Sequence, residues 1–174
     1  SSPLWKSANA VYHRSASGGG QWEYRRRMPE KWQITYGDIC MVVSPTGFKH
    51  TGVFPEQAVN WDAYARLIAA AERPIRVLNL FGYTGGATLA CAAAGASVCH
   101  VDASKGMVAW GRENAAASGL AEKIRGRRKE KIRRSGRLAA WIESRFDDKK
   151  KQQHSLIFLG GSCVLAGIIL FFSF

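Results

Sequence analysis

From Trp32 the chain alternates apolar and polar positions as "WQITY", turns at Gly37-Asp38, and alternates again as "ICMVVS". Alternation of period two on both sides of a two-residue turn predicts a β-hairpin over 32–44. In "AVNWDAYARLIAAAERP" (58–74), Trp61, Tyr64, Leu67 and Ile68 recur at helical spacing and the run stops before Pro74, which predicts an amphipathic helix. The pattern then shortens. "IRVLNLF" (75–81) reads as a buried strand, "GATLACAAAGA" (86–96) as a small-residue helix closed by Gly95, and "SVCHV" (97–101) as a second strand. Strand, helix and strand in that order form a βαβ unit, whose right-handed crossover makes the two strands parallel neighbours. A further helix, "KGMVAWGRENAAASG", starts after a candidate cap at Ser104 and ends at Gly119.

The flanks carry no such period. Residues 1–31, with "SASGGGQ" and "RRR" at 25–27, are expected to be an irregular approach segment. Residues 123–154 read as a basic linker or solvated helix. Thirteen Lys and Arg against four Asp and Glu between 123 and 151 supply nine of the net +12 charges, so the domain ahead of them is nearly balanced. A solvated face, a membrane-flanking segment and an RNA contact all remain open for this run, although it lacks the interleaved aromatics of single-stranded RNA binding. From Ser155 to Phe174 no residue is charged. Twenty helical residues cover about 30 Å, the hydrocarbon thickness of a bilayer. With Lys149 to Lys151 just before it, this stretch is expected to be a carboxy-terminal transmembrane helix that leaves the rest of the chain in the cytoplasm. The alternative is a buried apolar segment interrupted by Gly160, Gly161 and Gly167. The expected organisation is thus an approach segment (1–31), an incomplete α/β domain (32–122), a basic segment (123–154) and a candidate span (155–174).

Composition changes this picture little. A chain of 174 residues that is 47% hydrophobic supports one domain with a core. Cys40, Cys91, Cys99 and Cys163 show no CxxC or other metal-ligand spacing, and no signal peptide accompanies them, so reduced thiols and no metal are expected.

The candidate chemistry sits where the first strand breaks into Gly82-Tyr83-Thr84-Gly85-Gly86. A glycine loop between strand and helix lets a ligand approach backbone that side chains would otherwise shield. Twenty residues past Gly82, Asp102 closes the second strand, where a carboxylate can accept hydrogen bonds from ribose hydroxyls. No GxxxxGK[ST] places a lysine for a triphosphate, and GxxGG is not the GxGxxG cradle of a dinucleotide. An adenosine cofactor without phosphates fits better, and S-adenosyl-L-methionine has the matching parts. An α/β core with a merely tight turn is the bland alternative. Phe81 and Tyr83 also suit core aromatics, His50 a loop histidine, Trp61 and Trp110 core positions on helix faces, and Lys105 a solvated first turn.

"FKHTGVFPEQAVNW" followed by "RVLNLFGYTGGATLACAAAGASVCHVDASKGMVAWGRENAAASGL" resembles the class I S-adenosylmethionine-dependent methyltransferases. The resemblance is to the subgroup related to bacterial large-subunit rRNA cytosine-5 methyltransferases and covers about residues 3–122. It implies a Rossmann-like sheet, S-adenosyl-L-methionine as cofactor, and RNA or another nucleic acid as methyl acceptor. It further implies that Asn79, Phe81, Gly82, Tyr83, Thr84, Gly85 and Gly86 form the cofactor loop, that Asp102 holds the ribose and that Ala103 lies beside the adenine. Phe54 and Gln57 match the segment that folds over the cofactor.

The family's later elements have no counterpart in the pattern. No proline follows Pro74, so the Asp-Pro-Pro motif that orients the acceptor is missing, and the resemblance breaks near Lys123, where a third strand is expected. Cys163 lies in the uncharged run, while Cys91 and Cys99 fall within the predicted helix and second strand as buried, inert thiols. No catalytic residue is therefore assigned. The expectation is a methyltransferase-like chain that holds its cofactor and transfers no methyl group, with the sheet edge beside its first two strands open or covered by the basic segment. The alternative is a non-catalytic, membrane-anchored cofactor-binding fragment.

Overall fold

In a computed structural model, which describes residues 2–47, 49–128 and 169–173, the hydrophobic pattern resolves into two hairpins and a four-stranded sheet. The predicted hairpin is formed by β3 (Trp32–Tyr36) and β4 (Ile39–Val43), antiparallel with Tyr36 opposite Ile39 across the Gly37-Asp38 turn. Another hairpin precedes it, in the segment read as irregular. There β1 (Ala10–Arg14) pairs with β2 (Gly20–Tyr24), with Tyr12 opposite Trp22 and their rings edge to face at 5.4 Å. Its connection contains the triple glycine, and all three glycines have positive φ.

Helix α1 (Ala58–Ala70) buries Trp61, Tyr64 and Ile68 on one stripe and leads through Pro74 into β5 (Ile75–Leu80). Helix α2 (Gly86–Ala93) joins β5 to β6 (Ser97–Asp102), and the two strands are parallel, with Asn79 opposite His100. Helix α3 (Lys105–Ala117) follows. Both α2 and α3 end in the same device. The amides of Gly95 and Ala96 bond the carbonyls of Ala92 and Cys91, and those of Gly119 and Leu120 bond Ala116 and Ala115. This closure needs the left-handed conformation that glycine adopts freely at its first residue. Tyr64, Ile68, Val77, Cys91, Ala92 and Val98 form one buried cluster between helices and sheet. The alanines of α2 keep that layer thin and close-packed.

Two expectations for the far end of the chain are corrected. The third strand is present: β7 (Ile124–Arg128), taken from the start of the segment read as a basic linker, runs parallel to β6 with Gly126 opposite His100. Its Arg125 is exposed while Ile124 and Gly126 are partly covered, so charge on alternate positions hid a strand. The other edge is also paired. β8 (Ile169–Ser173) runs antiparallel to β5 with Leu170 opposite Leu78, giving the order β7-β6-β5-β8. These five residues are strand and not the end of a transmembrane helix. An uncharged run of spanning length satisfies a sheet edge as well as a bilayer, and hydropathy does not separate the two. Among the described residues no helix is long and apolar enough to cross a membrane. The rest of the candidate span, 155–168 and Phe174, and most of the basic segment, 129–154, lie outside the described residues.

Helix α3 also grips the β3–β4 hairpin. Ser118 Oγ accepts from Cys40 N at 2.9 Å and donates to Cys40 O at 2.8 Å, Asn114 Oδ1 accepts from Val42 N at 2.8 Å, and Trp110 Nε1 donates to Val42 O at 2.8 Å. Positions 110, 114 and 118 lie on one helix stripe. Trp110 and Asn114 take the carbonyl and the amide of Val42, and Ser118 takes both groups of Cys40, so the stripe covers two alternate residues of β4.

Candidate functional site

Past Leu80 the chain leaves the sheet in a constrained loop. Phe81 and Tyr83 adopt left-handed backbone (φ 59° and 51°), as does Gly85 at 100°. Two such non-glycine residues in one short loop store roughly 1–3 kcal/mol each and have to be held in place by their surroundings. The holding contacts are visible: Gly82 N donates to Val101 O at 2.9 Å, Gly85 N to Gly82 O at 2.9 Å, and Thr84 Oγ1 donates to Gly52 O. Asn114, fully buried, donates from Nδ2 to Thr84 O at 2.8 Å and so ties the loop to the β4 edge it also bonds.

A cleft opens between this loop and the segment before α1. Of the predicted residues, Phe54, Gln57, Asn79, Phe81, Gly82, Tyr83, Thr84 and Gly86 line it. Gly85 caps α2 without a side-chain hydrogen bond, so it lies at the loop's end and not in the cleft wall. Asp102 and Ala103 stand beside the loop at the end of β6. The Asp102 carboxylate accepts from Tyr83 N at 2.9 Å and from Ser104 N at 2.8 Å, one bond per oxygen. Each carboxylate oxygen retains a lone pair for a further donor. Phe54 and Tyr83 face each other at 5.0 Å, and His50 extends the aromatic row with its ring 5.0 Å from Phe54. Burial pushes the Tyr83 phenol above its ordinary value, which keeps it neutral.

Three details differ from the sequence reading. Phe81 is 58% exposed and not a core aromatic. Thr84 lies in the cleft wall but is buried with its hydroxyl bonded to Gly52 O, so its side chain is engaged in holding the loop. Gly82 and Gly86 are required by packing: a Cβ on Gly82 would collide with the His100 ring and one on Gly86 with Trp61. The glycines thus seat the loop on two aromatic side chains. Sequence reasoning missed Met41, Trp61, Tyr64 and Ala87 in the cleft wall, because the period of their strand or helices had assigned them to packing, and Val53, which lies in the loop before α1 and carries no periodic signal. Cys91 is buried with its thiol pushed up to about 12 by burial, which makes it inert, while Cys99 is only half-buried.

A parallel β-α-β-α-β unit with a glycine loop after its first strand and a carboxylate after its second has the fold of the class I methyltransferases. No family model matches the chain. It is 36% identical over 115 residues to the ribosomal RNA large subunit methyltransferase K/L of Shewanella sp. strain ANA-3, a match covering 66% of this chain and 15% of that protein. The corresponding protein of Shewanella baltica strain OS155 is 41% identical over 76 residues, covering 43% of this chain and 10% of its own length. Among solved structures, an S-adenosylmethionine-dependent methyltransferase from Agrobacterium tumefaciens superposes with a TM-score of 0.68 at 38% identity, over 79% of this chain and 45% of that one. A methyltransferase from Streptococcus mutans, at TM-score 0.62 and 21% identity, shares the fold. The chain is similar to S-adenosylmethionine-dependent methyltransferases and, among them, to the bacterial large-subunit rRNA methyltransferases, and it spans about one seventh of the length of the K/L protein it matches over most residues.

Proposed function

We propose that the chain carries the S-adenosyl-L-methionine-binding part of an RNA methyltransferase. The observation that carries this reading is the cleft itself: a strained loop at the carboxyl end of β5, an aromatic pair from Phe54 and Tyr83, and Asp102 alongside with acceptor capacity to spare. The residues suit the cofactor. Asp102 would accept from the ribose hydroxyls, Ala103 offers a small wall beside the base, Phe54 and Tyr83 cover apolar surface, and Asn79 and the Gly82–Gly86 loop would meet the amino-acid end. Gln57 extends the wall on the Phe54 side. When bound, the cofactor supplies a sulfonium methyl group for transfer to a nucleophilic atom. The chain's own contribution is to hold and orient it, since transfer gains speed when both reactants are fixed in line.

The named relatives point to RNA, and large-subunit rRNA is the acceptor to try first. The binding unit we infer is 32–122 together with β7. No described residue is given an acceptor-side role. Calorimetry should show the protein binding S-adenosyl-L-methionine and its demethylated product and ignoring ATP and NAD, with Phe54→Ala weakening the interaction by about tenfold through the lost ring contact. Absence of binding at millimolar cofactor would defeat the reading. A radiolabelled transfer assay on large-subunit rRNA, with Gly85→Trp as control, then separates binding from catalysis.

A further inference from the structure

The charge ahead of the basic segment is not spread evenly. Residues 1–31 carry six Lys and Arg against two Glu, a net of +4, whereas 32–122 carry six against seven acidic residues, a net of −1. The excess falls on the segment that folds as the β1–β2 hairpin. There Glu23 is committed to His13 and Arg25, at 2.6 and 3.4 Å, while Lys6, Arg14, Arg26 and Arg27 are exposed and make no ion pair among the described residues. Two aromatic side chains stand out of the same segment, Trp5 at 70% and Tyr24 at 57% exposure. The sequence interleaves the two kinds of group as Trp5-Lys6 and Tyr24-Arg25-Arg26-Arg27, whereas the arginine-rich stretch 124–137 contains no aromatic residue.

Backbone bonds gather these groups at one end of the hairpin. Asn9 O accepts from both Arg25 N at 2.8 Å and Arg26 N at 3.2 Å, and Ala10 pairs with Tyr24, so the start of β1 and the end of β2 close on each other opposite the glycine turn. The short helix Pro3–Ser7 ends two residues before Asn9, which keeps Trp5 within about 14 Å of Asn9 even at full extension. The hairpin is also braced against the rim of the cleft. Trp22 Nε1 donates to Thr46 O at 2.8 Å, Thr46 N and Oγ1 both donate to His50 O at 3.0 and 2.7 Å, and the His50 ring stands 5.0 Å from that of Phe54 in the cleft wall. On the chain that leaves the hairpin, Lys31 Nζ meets both carboxylate oxygens of Glu113 on α3 at 2.8 Å.

We propose that this open end of the β1–β2 hairpin is a contact surface for single-stranded RNA, with Tyr24 and Trp5 stacking on unpaired bases and Lys6, Arg26 and Arg27 meeting phosphates. This rests on the reading above that the acceptor is RNA, and adds where the strand is gripped outside the cofactor cleft. The chemistry of the surface favours that occupant. Guanidinium groups match phosphate oxygens in pairs, and an exposed ring stacks on any base whose face is free. Duplex RNA hides its base faces and would leave both rings idle. A grip away from the reacting atoms also lets binding energy hold one nucleotide at the cleft, where proximity to the methyl donor counts.

The test is fluorescence anisotropy of the full chain with a labelled single-stranded RNA of about twelve nucleotides, beside a duplex of the same sequence. The double variant Arg26→Ala, Arg27→Ala should weaken single-strand binding about tenfold and flatten the slope of log affinity against log salt by about 1.4, because two phosphate contacts are lost. Tyr24→Ala should weaken it by about tenfold at unchanged slope, and Tyr24→Phe should keep it. Calorimetry should find S-adenosylhomocysteine bound equally by all of these, since the exchanged side chains are exposed. Duplex bound as tightly as the single strand, unchanged binding in either hairpin variant, or a loss seen only in Arg133→Ala, Arg134→Ala overturns the proposal. Preference for phosphatidylserine vesicles over RNA overturns it as well. If the chain binds S-adenosylhomocysteine and no RNA, the surface falls and the cofactor reading stands; if it binds RNA through the hairpin and no S-adenosylhomocysteine, the surface stands and the cofactor reading falls.

Discussion

The sheet contains two strand-to-helix junctions built on the same topology and finished in opposite ways. Between β6 and α3, Ser104 is extended and its Oγ accepts from Met107 N at 3.3 Å, while its own amide is held by Asp102 Oδ1. The orphan donors of the helix start are met by side chains of the junction itself. Between β5 and α2, Gly85 offers no side-chain cap, Phe81 and Tyr83 are left-handed, and a cleft opens beside them. One junction is closed by a side-chain cap; the other has no such cap and opens on the cleft. Asp102 connects them, since its second oxygen holds Tyr83 N in the open junction.

Substitutions can break this contrast, beginning with the largest effect. Gly82→Ala pushes a methyl group into the buried His100 ring and should destabilise the fold by about 2–3 kcal/mol, read as a shift in the urea midpoint. Asp102→Ala removes the link between junctions. Calorimetry should find S-adenosylmethionine bound at least about 1 kcal/mol more weakly, because acceptors for both ligand and loop are lost together. Ser104→Ala should lower stability by about 1 kcal/mol with cofactor affinity unchanged, as expected of a helix cap in the closed junction. Gly106→Ala has the opposite sign: its Cβ would approach nothing closer than Ser104 Oγ at 3.6 Å, so thermal unfolding should show a gain of about 0.5–1 kcal/mol. Equal losses at Gly82 and Gly106 would erase the distinction between the junctions.

The period of the sequence revealed the middle of the molecule and hid its edges. β5 and α2 are legible as short apolar or small-residue runs, buried at consecutive positions (77–79 and 88–92), and α3 as a helix with a capped start and a glycine end. β1 and β2 escaped notice because neither contains a fully buried residue, and the triple glycine between them looks like a linker until its left-handed backbone is seen to reverse the chain. β7 was masked by its three arginines, and the β8 residues by the uncharged run around them. The candidate site shows a similar division. Loop glycines and Asp102 are legible as a motif, whereas His100 sits in "SVCHV" as one polar letter in an apolar strand. Nothing in spacing alone shows that it lies under Gly82.

The stripe of Trp110, Asn114 and Ser118 on α3 has a consequence for how the molecule comes apart. Because these side chains bond the backbone of β4 on the side away from β3, the outward amides of Cys40 and Val42 are shielded although among the described residues no strand lies beside them. Their exchange with deuterium should therefore be governed by the opening of α3 and not by fraying of a two-stranded ribbon, which alone would be marginal in water. The hairpin and the nucleotide-type sheet, distant in the chain and unpaired as sheets, would unfold as one cooperative unit, and a ligand that steadies the loop through Thr84 and Asn114 would slow exchange at Cys40 and Val42, neither of which lines the cleft.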